Sequence, residues 1–305
     1  MSNVTYFVGL DYHQQSVQVC VMNSDGFIIQ NISRRNDWRE VAEVVPKDGR
    51  VFAAIEACNG AASFAEELIA RAGWSVDLAH PGYVARIKQS PDKSDWADAR
   101  LLADLERVGY LPKVWLAPEA TRELRRLVRF RQQLVNQSRD IKLRIHAGET
   151  SRWILCQHFV EIDRLTAMIR DVEKRLEEMT SDDAVVCRLL EQSGVGLVTA
   201  VTLRAEIGRF DRFRSGKQLA RFCAVTPRNA SSGQRQADAG MIKAGNRELR
   251  RVLIQAALRL KRLDDHWVAF AERLKDRGKP ANVITVAVAN RWVRGLYYTM
   301  CELAA

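Results

Sequence analysis

The sequence predicts an α/β domain followed by a longer, mainly helical region, and three observations carry that prediction. Short apolar strands separated by turn signals fill the first 60 residues. Beyond Pro112 and Pro118 no proline occurs until Pro227, and apolar residues recur there at spacings of three and four. The charge also divides: residues 1–110 carry 11 basic and 15 acidic side chains, the remainder 36 and 22.

Residues 4–10 (VTYFVGL) form an apolar, β-branched and aromatic run ending at Asp11. Ser16–Met22 alternates apolar and polar residues, Asn23-Ser24-Asp25-Gly26 signals a turn, and Phe27–Ile32 reads as a third strand. A helix over Trp38–Val45 leads to a fourth strand, Val51–Ile55, which ends at Glu56. Phe64–Ala72 reads as helix, Ser75–Ala79 as a short strand and Asp95–Arg107 as helix. The order βββαβαβα, with acids ending the first and fourth strands and further acids on a helix, is that of a ribonuclease H-like fold.

The last of these helices opens with Lys93-Ser94-Asp95-Trp96-Ala97-Asp98-Ala99-Arg100. Asp95 and Asp98 share a helix face, so both address one small volume. Like charges so close raise each other's pKa, and a divalent cation between them keeps both ionised. The competing reading is a solvated helix N-terminus, where acids suit the dipole. Glu56 sharpens the question, because a carboxylate ending an apolar strand is costly unless paired or metal-bound. Gly9-Leu10-Asp11 would also suit the phosphate loop of an actin-like or sugar-kinase ATPase, but the further glycine-rich loops such a protein needs do not follow.

In the rear region two heptad-like series follow one another. The first is Ala120, Leu124, Leu127, Arg131, Leu134, Ser138, Ile141, Ile145; the second is Leu155, His158, Ile162, Leu165, Ile169, Val172, Leu176, Met179. They predict a helical hairpin or coiled-coil arm for oligomerisation, with His158 structural. Arg122, Arg125, Arg126, Arg129 and Arg131 read as a solvated face that could also meet phosphates. Gly194-Val195-Gly196, between two helical patterns, suits either a phosphate-approaching helix-hairpin-helix or a plain helical turn. Thr226–Arg235 is a polar loop whose serines are ordinarily turn residues. Asn246 then caps an amphipathic helix with the apolar stripe Leu249, Val252, Leu253, Ala256, Ala257, Leu260 and Leu263. Its arginines, Arg247, Arg250, Arg251, Arg259 and Arg262, are read as phosphate contacts. A largely apolar helix from Ala281 to Leu303 packs the core.

Net charge is +10 with a pI near 9.5, and residues 204–261 alone hold 14 basic and 4 acidic side chains. An acidic, carboxylate-bearing front joined to a basic rear suggests metal chemistry delivered to a polyanion. Six dispersed cysteines without CxxC spacing exclude a cysteine-based zinc or redox motif and read as reduced thiols. No signal pattern opens the chain and no apolar run is long enough to span a bilayer, so a cytoplasmic, nucleoid-associated protein is expected.

Several motifs together resemble one family, the DEDD-type transposases of bacterial insertion sequences (the one-ten family), which includes Piv-type DNA invertases and bridge-RNA-guided recombinases. They are Val8-Gly9-Leu10-Asp11, Ile55-Glu56-Ala57, Lys93–Ala99, Thr226-Pro227-Arg228 with Ser232-Gly233, and Lys243-Ala244-Gly245-Asn246 followed by Leu249-Arg250-Arg251. They occur in the family's order across nearly the whole chain; Cys58-Asn59-Gly60 departs from the threonine and glycine often found after the glutamate.

The resemblance implies a RuvC-like ribonuclease H-fold domain (1–111), a coiled-coil arm (112–182) and a mainly helical transposase domain with the serine loop (183–305). It implies that Asp11, Glu56, Asp95 and Asp98 form a tetrad holding Mg2+ or Mn2+, and that Ser232 is the nucleophile, with Ser231 offering a second hydroxyl beside it. Arg228, Arg235, Lys243, Asn246, Arg247, Arg250 and Arg251 are the expected nucleic-acid contacts. The partners expected are donor and target double-stranded DNA, a guide RNA and further copies of the chain in a homodimer or homotetramer. The expected function is a DNA recombinase acting through a phosphoserine intermediate. Its rivals are a protein-only Piv-type invertase, a RuvC-like endonuclease in which Ser232 is structural, and a module that only coats nucleic acid.

Overall fold

A computed structural model describes residues 4–88, 94–148, 151–229, 238–241 and 245–303. These fall into two compact units divided between Ala117 and Pro118. In the first, β1 (Thr5–Tyr12), β2 (Ser16–Met22) and β3 (Ile28–Arg35) form an antiparallel meander. After α1 (Trp38–Ala42), β4 (Arg50–Glu56) lies parallel to β1. α2 (Ala61–Glu67), prolonged by a π-helical turn over Leu68–Ala72, leads to β5 (Ser75–Ala79), parallel to β4. Next come α3 (Pro81–Ile87), α4 (Asp95–Arg107) and a short edge strand, β6 (Lys113–Val114). The sheet order is β3-β2-β1-β4-β5-β6. This mixed α/β architecture is consistent with the ribonuclease H-like domain that the strand pattern predicts.

Three details differ from the sequence reading. α1 stops at Ala42, and Val44 and Val45 are buried in the turn beyond it. α3 is an addition: it is seven residues long and begins at a proline capped by His80, too short for a helical period to register. β6 has two residues and carries no alternation at all.

What positions α4 is the absence of a side chain on β1. A Cβ on Gly9 would lie 1.8 Å from the Ala99 carbonyl oxygen and 2.5 Å from the Ala103 nitrogen. Helix and strand therefore touch backbone to backbone. Ala99 and Ala103 are fully buried and cluster with Cys20 and Met22 of β2. Leu102 and Leu105 pack with Ala54, Ala79 and Val84. Small residues one turn apart on α4 thus meet the one side-chain-free position of β1.

The second unit is helical. α5 (Glu119–His146) and α6 (Arg152–Thr180) pack together. The predicted seam is buried at Leu124, Leu134 and Ser138 and again at Leu165, Val172 and Leu176. Near the turn between the helices, Leu143, Trp153, Phe159 and Val160 are exposed. α7 (Ala184–Leu190), α8 (Leu197–Ile207) and α9 (Gly216–Phe222) follow, then β7 (Pro227–Asn229) paired antiparallel with β8 (Asp238–Met241). α10 (Arg247–Leu263), α11 (Asp265–Asp276) and α12 (Ala281–Glu302) complete the unit. The α10 stripe is buried from Leu249 to Leu260, but Leu263 is 69% exposed, so the stripe ends one turn earlier than its spacing suggests. α11 is a further addition; it has no buried residue and starts at an Asp264 cap. α12 buries Ile284, Val288, Trp292, Val293 and Leu296, as its composition requires. Gly194 takes a left-handed backbone between α7 and α8, and Arg259 of α10 donates to its carbonyl at 3.4 Å.

The Gly9 contact is testable by contrast with Gly73, which has φ +70° and nothing within 4 Å of where a Cβ would stand. Gly9→Ala is expected to destabilise the first unit by about 3 kcal/mol through overpacking, whereas Gly73→Ala should cost about 1 kcal/mol through backbone strain alone. Urea midpoints followed by tryptophan fluorescence measure both, and equal losses would show that Gly9 matters only as a flexible residue.

Candidate metal centre

β1 and β4 run parallel with Leu10 opposite Ile55. The next residues, Asp11 and Glu56, therefore lie side by side at the carboxyl ends of neighbouring strands. α4 contributes its first turn, which carries Asp95 and Asp98. Ser94 Oγ caps that turn, accepting from the Ala97 nitrogen at 3.2 Å. Two amides tie it to the sheet: Gln18 Nε2 donates to Asn31 Oδ1 at 2.7 Å, and Asn31 Nδ2 donates to the Trp96 carbonyl at 3.0 Å. Gln18 is the residue opposite Asp11 on β2, so this relay runs from the register of one site aspartate to the backbone beside another.

His13, two residues past Asp11, stands between the acids. Its Nε2 lies 3.4 Å from Asp11 Oδ2 and 3.6 Å from Asp95 Oδ2. One ligand atom from each of Asp11, His13 and Asp95 falls within 4.8 Å of the others. Asp98 forms an ion pair with Lys88. Burial raises the Asp11 carboxyl above its ordinary 3.8; nearby His13 opposes this, while the charges of Asp95 and Asp98 add to it. The same crowding reaches Cys58, whose thiol is pushed up first by burial and further by the charges of Glu56 and Asp11, against a lowering bond from the Ala61 backbone. Glu56 is half-buried at the end of β4. Carboxylate oxygens with one imidazole nitrogen are a donor set suited to a hard or borderline divalent ion such as Mg2+ or Mn2+.

His13, Lys88, Gln18 and Asn31 join the site only in the folded chain. For His13 the sequence holds a signal: Asp11-Tyr12-His13 puts the acid and the imidazole two apart, on one side of an extended chain. Lys88 meets Asp98 across a span that includes residues outside those described, and no local pattern announces it.

In the second unit, Ser231, Ser232, Arg235 and Lys243 lie outside the described residues, and Arg228 is described only as backbone within β7. Asn246 caps α10, accepting from the Glu248 and Leu249 nitrogens at 2.9 and 3.1 Å. Arg247 is exposed, Arg250 half-buried, and Arg251 pairs with Glu248 at 3.0 Å. The arginines of α5 are paired rather than free, and of these Arg126 and Arg129 remain more than half exposed. Arg122 and Arg126 pair with Glu119, Arg131 pairs with Glu173, and Arg125 donates to the Ala205 carbonyl at 2.6 Å. Arg129 holds Glu206 with two bonds of 2.8 and 2.9 Å, and Asn246 Nδ2 donates to the same carboxylate at 2.7 Å. Glu206 is 3% exposed, so these partners satisfy a buried charge.

Comparison with known proteins bears on both units. Residues 8–148 match a DEDD transposase domain of the IS110 type, and residues 187–272 match the transposase IS116/IS110/IS902 family. A probable family 20 transposase of Pseudomonas aeruginosa is 27% identical over 327 residues, covering 95% of each chain. The transposase for insertion sequence element IS1328 of Yersinia enterocolitica is 23% identical over 325 residues, covering 96% of each. A protein named transposase y4qE in Sinorhizobium fredii is 32% identical over 209 residues, 62% of this chain and 54% of that one. The two matched segments define an insertion-sequence transposase. Within that class, the chain belongs to the IS116/IS110/IS902 family. Among the described residues no helix is long and apolar enough to cross a membrane.

The raised Asp11 value fixes a sign. A carboxyl whose folded value exceeds its unfolded one favours the folded chain while protonated. That contribution is complete below 3.8 and is lost as pH rises through the folded value. At neutral pH the ionised Asp11 destabilises the metal-free protein, so Asp11→Asn is expected to raise its thermal midpoint in EDTA by a few degrees and to abolish the further rise given by Mn2+. A lower midpoint in EDTA would show that His13 outweighs the burial cost.

Proposed function

We propose that this chain cuts and rejoins DNA strands with a two-part site, the carboxylates Asp11, Glu56, Asp95 and Asp98 together with the Ser232 hydroxyl. The observation that supports the reading most directly is the approach of Asp11, His13 and Asp95 ligand atoms to within 4.8 Å, in a chain of a transposase family. His13 and Lys88 offset part of the charge of such a cluster, and a divalent cation neutralises it more fully. When bound, that cation supplies positive charge to a scissile phosphate and to the oxygen that departs from it.

The chain's own groups do the rest. Asp11 and Glu56 hold the cation from the sheet, and Asp95 and Asp98 hold it from α4. The Ser232 oxygen forms a bond to phosphorus while a sugar oxygen–phosphorus bond breaks; the serine proton passes to solvent and the departing oxygen takes one up. Because the phosphoserine link conserves the phosphodiester bond, a sugar hydroxyl of another strand reverses the step and reseals the DNA without a nucleoside triphosphate. In a nuclease of the same fold water attacks instead and the break stays open.

In this reading residues 1–111 form the metal-holding domain, 112–182 the assembly arm and 183–305 the serine-bearing domain, acting as a homodimer or homotetramer on donor and target duplexes. Arg228, Arg235, Lys243, Arg247, Arg250 and Arg251 meet phosphates, and a structured RNA selects the target by base pairing. Asn246 acts with them by fixing the start of α10.

Two variants test the proposal. Ser232→Ala is expected to abolish strand cleavage while retaining Mn2+ binding by calorimetry, and Asp95→Asn with Asp98→Asn to lose both. Cleavage by Ser232→Ala at the wild-type rate would make the protein a water-using endonuclease.

A further inference from the structure

At the other end of the same sheet, away from Asp11 and Glu56, lies a cleft of about 830 Å³. It is bounded by α1, the loop into β4, and the amino ends of β4 and β5. Four cations line it, Arg39, Lys47, Arg50 and Arg71, against one acid, Glu43. Residues 1–110 hold only 11 basic side chains and are net acidic, so more than a third of their positive charge meets at this one place. Lys47, Arg50 and Arg71 are exposed and form no ion pair with any described residue.

The cleft also has aromatic walls. Trp74, 7% exposed, lies in its apolar floor, and Trp38 is half-buried at its edge. The Arg39 guanidinium sits 4.8 Å from the Trp38 ring centroid, so a planar group already stacks on that face and a base would take its place there. The loop into β4 is pinned rather than loose. Asp48 accepts from the Tyr6 hydroxyl at 2.8 Å, and a Cβ on Gly49 would lie 2.6 Å from the Val4 carbonyl. A preformed cleft of this size falls within the roughly 300–1,000 Å³ range of small-ligand sites.

We propose that this cleft is a nucleotide subsite, in which a base stacks against Trp38 and its phosphate is held by Lys47, Arg50 and Arg71. Aromatic faces with unpaired cations beside them are the combination that holds single-stranded nucleic acid without reading its sequence. A free nucleotide offers the same chemistry as one unit of a strand. Three exposed cations, Lys47, Arg50 and Arg71, favour the strand, whose successive phosphates engage several cations at once. The subsite does not depend on the metal centre or on Ser232.

The test uses full-length protein and a single-stranded oligonucleotide carrying 5-iodouridine, crosslinked by light, with the attached peptides identified by mass spectrometry. Crosslinks are expected on peptides containing Trp38 or Trp74. The Arg50→Glu, Arg71→Glu double variant, altered only at exposed positions, should lower them on the order of tenfold, leaving crosslinks within residues 204–261 intact. Crosslinks confined to residues 204–261, or an unchanged Trp38 signal in a double variant of normal melting temperature, would overturn the proposal. Competition by uridine monophosphate at millimolar concentration would assign the subsite to free nucleotides, and competition by oligonucleotide alone would assign it to a strand.

Discussion

The backbone contact between Gly9 and α4 is the constraint on which the first unit depends. The first turn of α4 reaches the carboxyl end of β1 only if the helix lies almost on the sheet, and any side chain at position 9 would keep it away. Ala99 and Ala103 on the helix complete the approach. This is packing with a chemical result. The depth at which α4 settles sets how near Asp95 comes to Asp11 and His13. The amide relay from Gln18 through Asn31 to the Trp96 carbonyl then holds the end of α4 that carries the acids, where a helix would otherwise fray.

Once the acids are together, their mutual repulsion has to be answered. Two cationic or potentially cationic groups do so within the chain: His13 lies between Asp11 and Asp95, and Lys88 pairs with Asp98. They come from β1's end and α3's end, so the cluster is held by countercharge from two sides. A divalent ion held there would replace contacts that already exist.

Much of this is legible in the sequence. The apolar runs Val4–Leu10, Ser16–Met22 and Val51–Ile55 identify the sheet, and acids closing two of those strands identify its working end. Asp95 and Asp98 are recognisable because a helix brings residues three apart onto one face. Long amphipathic helices such as α5, α6 and α10 are visible because their periods repeat. What escapes is short or tertiary. α3 and β6 are briefer than one clear period, and α11 buries no side chain to mark a stripe. No local pattern shows that Arg125, Arg129 and Arg131 of α5 find partners, because Ala205, Glu206 and Glu173 lie far along the chain. His13 is harder to single out although its spacing from Asp11 is in plain view, because only the folded chain brings Asp95 to its other side.

Glu206 carries a mechanical meaning of its own. One buried carboxylate on α8 is gripped by Arg129 from α5 and by Asn246, the residue that caps α10. Three helices therefore meet at a single buried carboxylate. In this sense α5 is fastened to the start of α10 through one carboxylate, so that shifting either helix strains the bonds of the other.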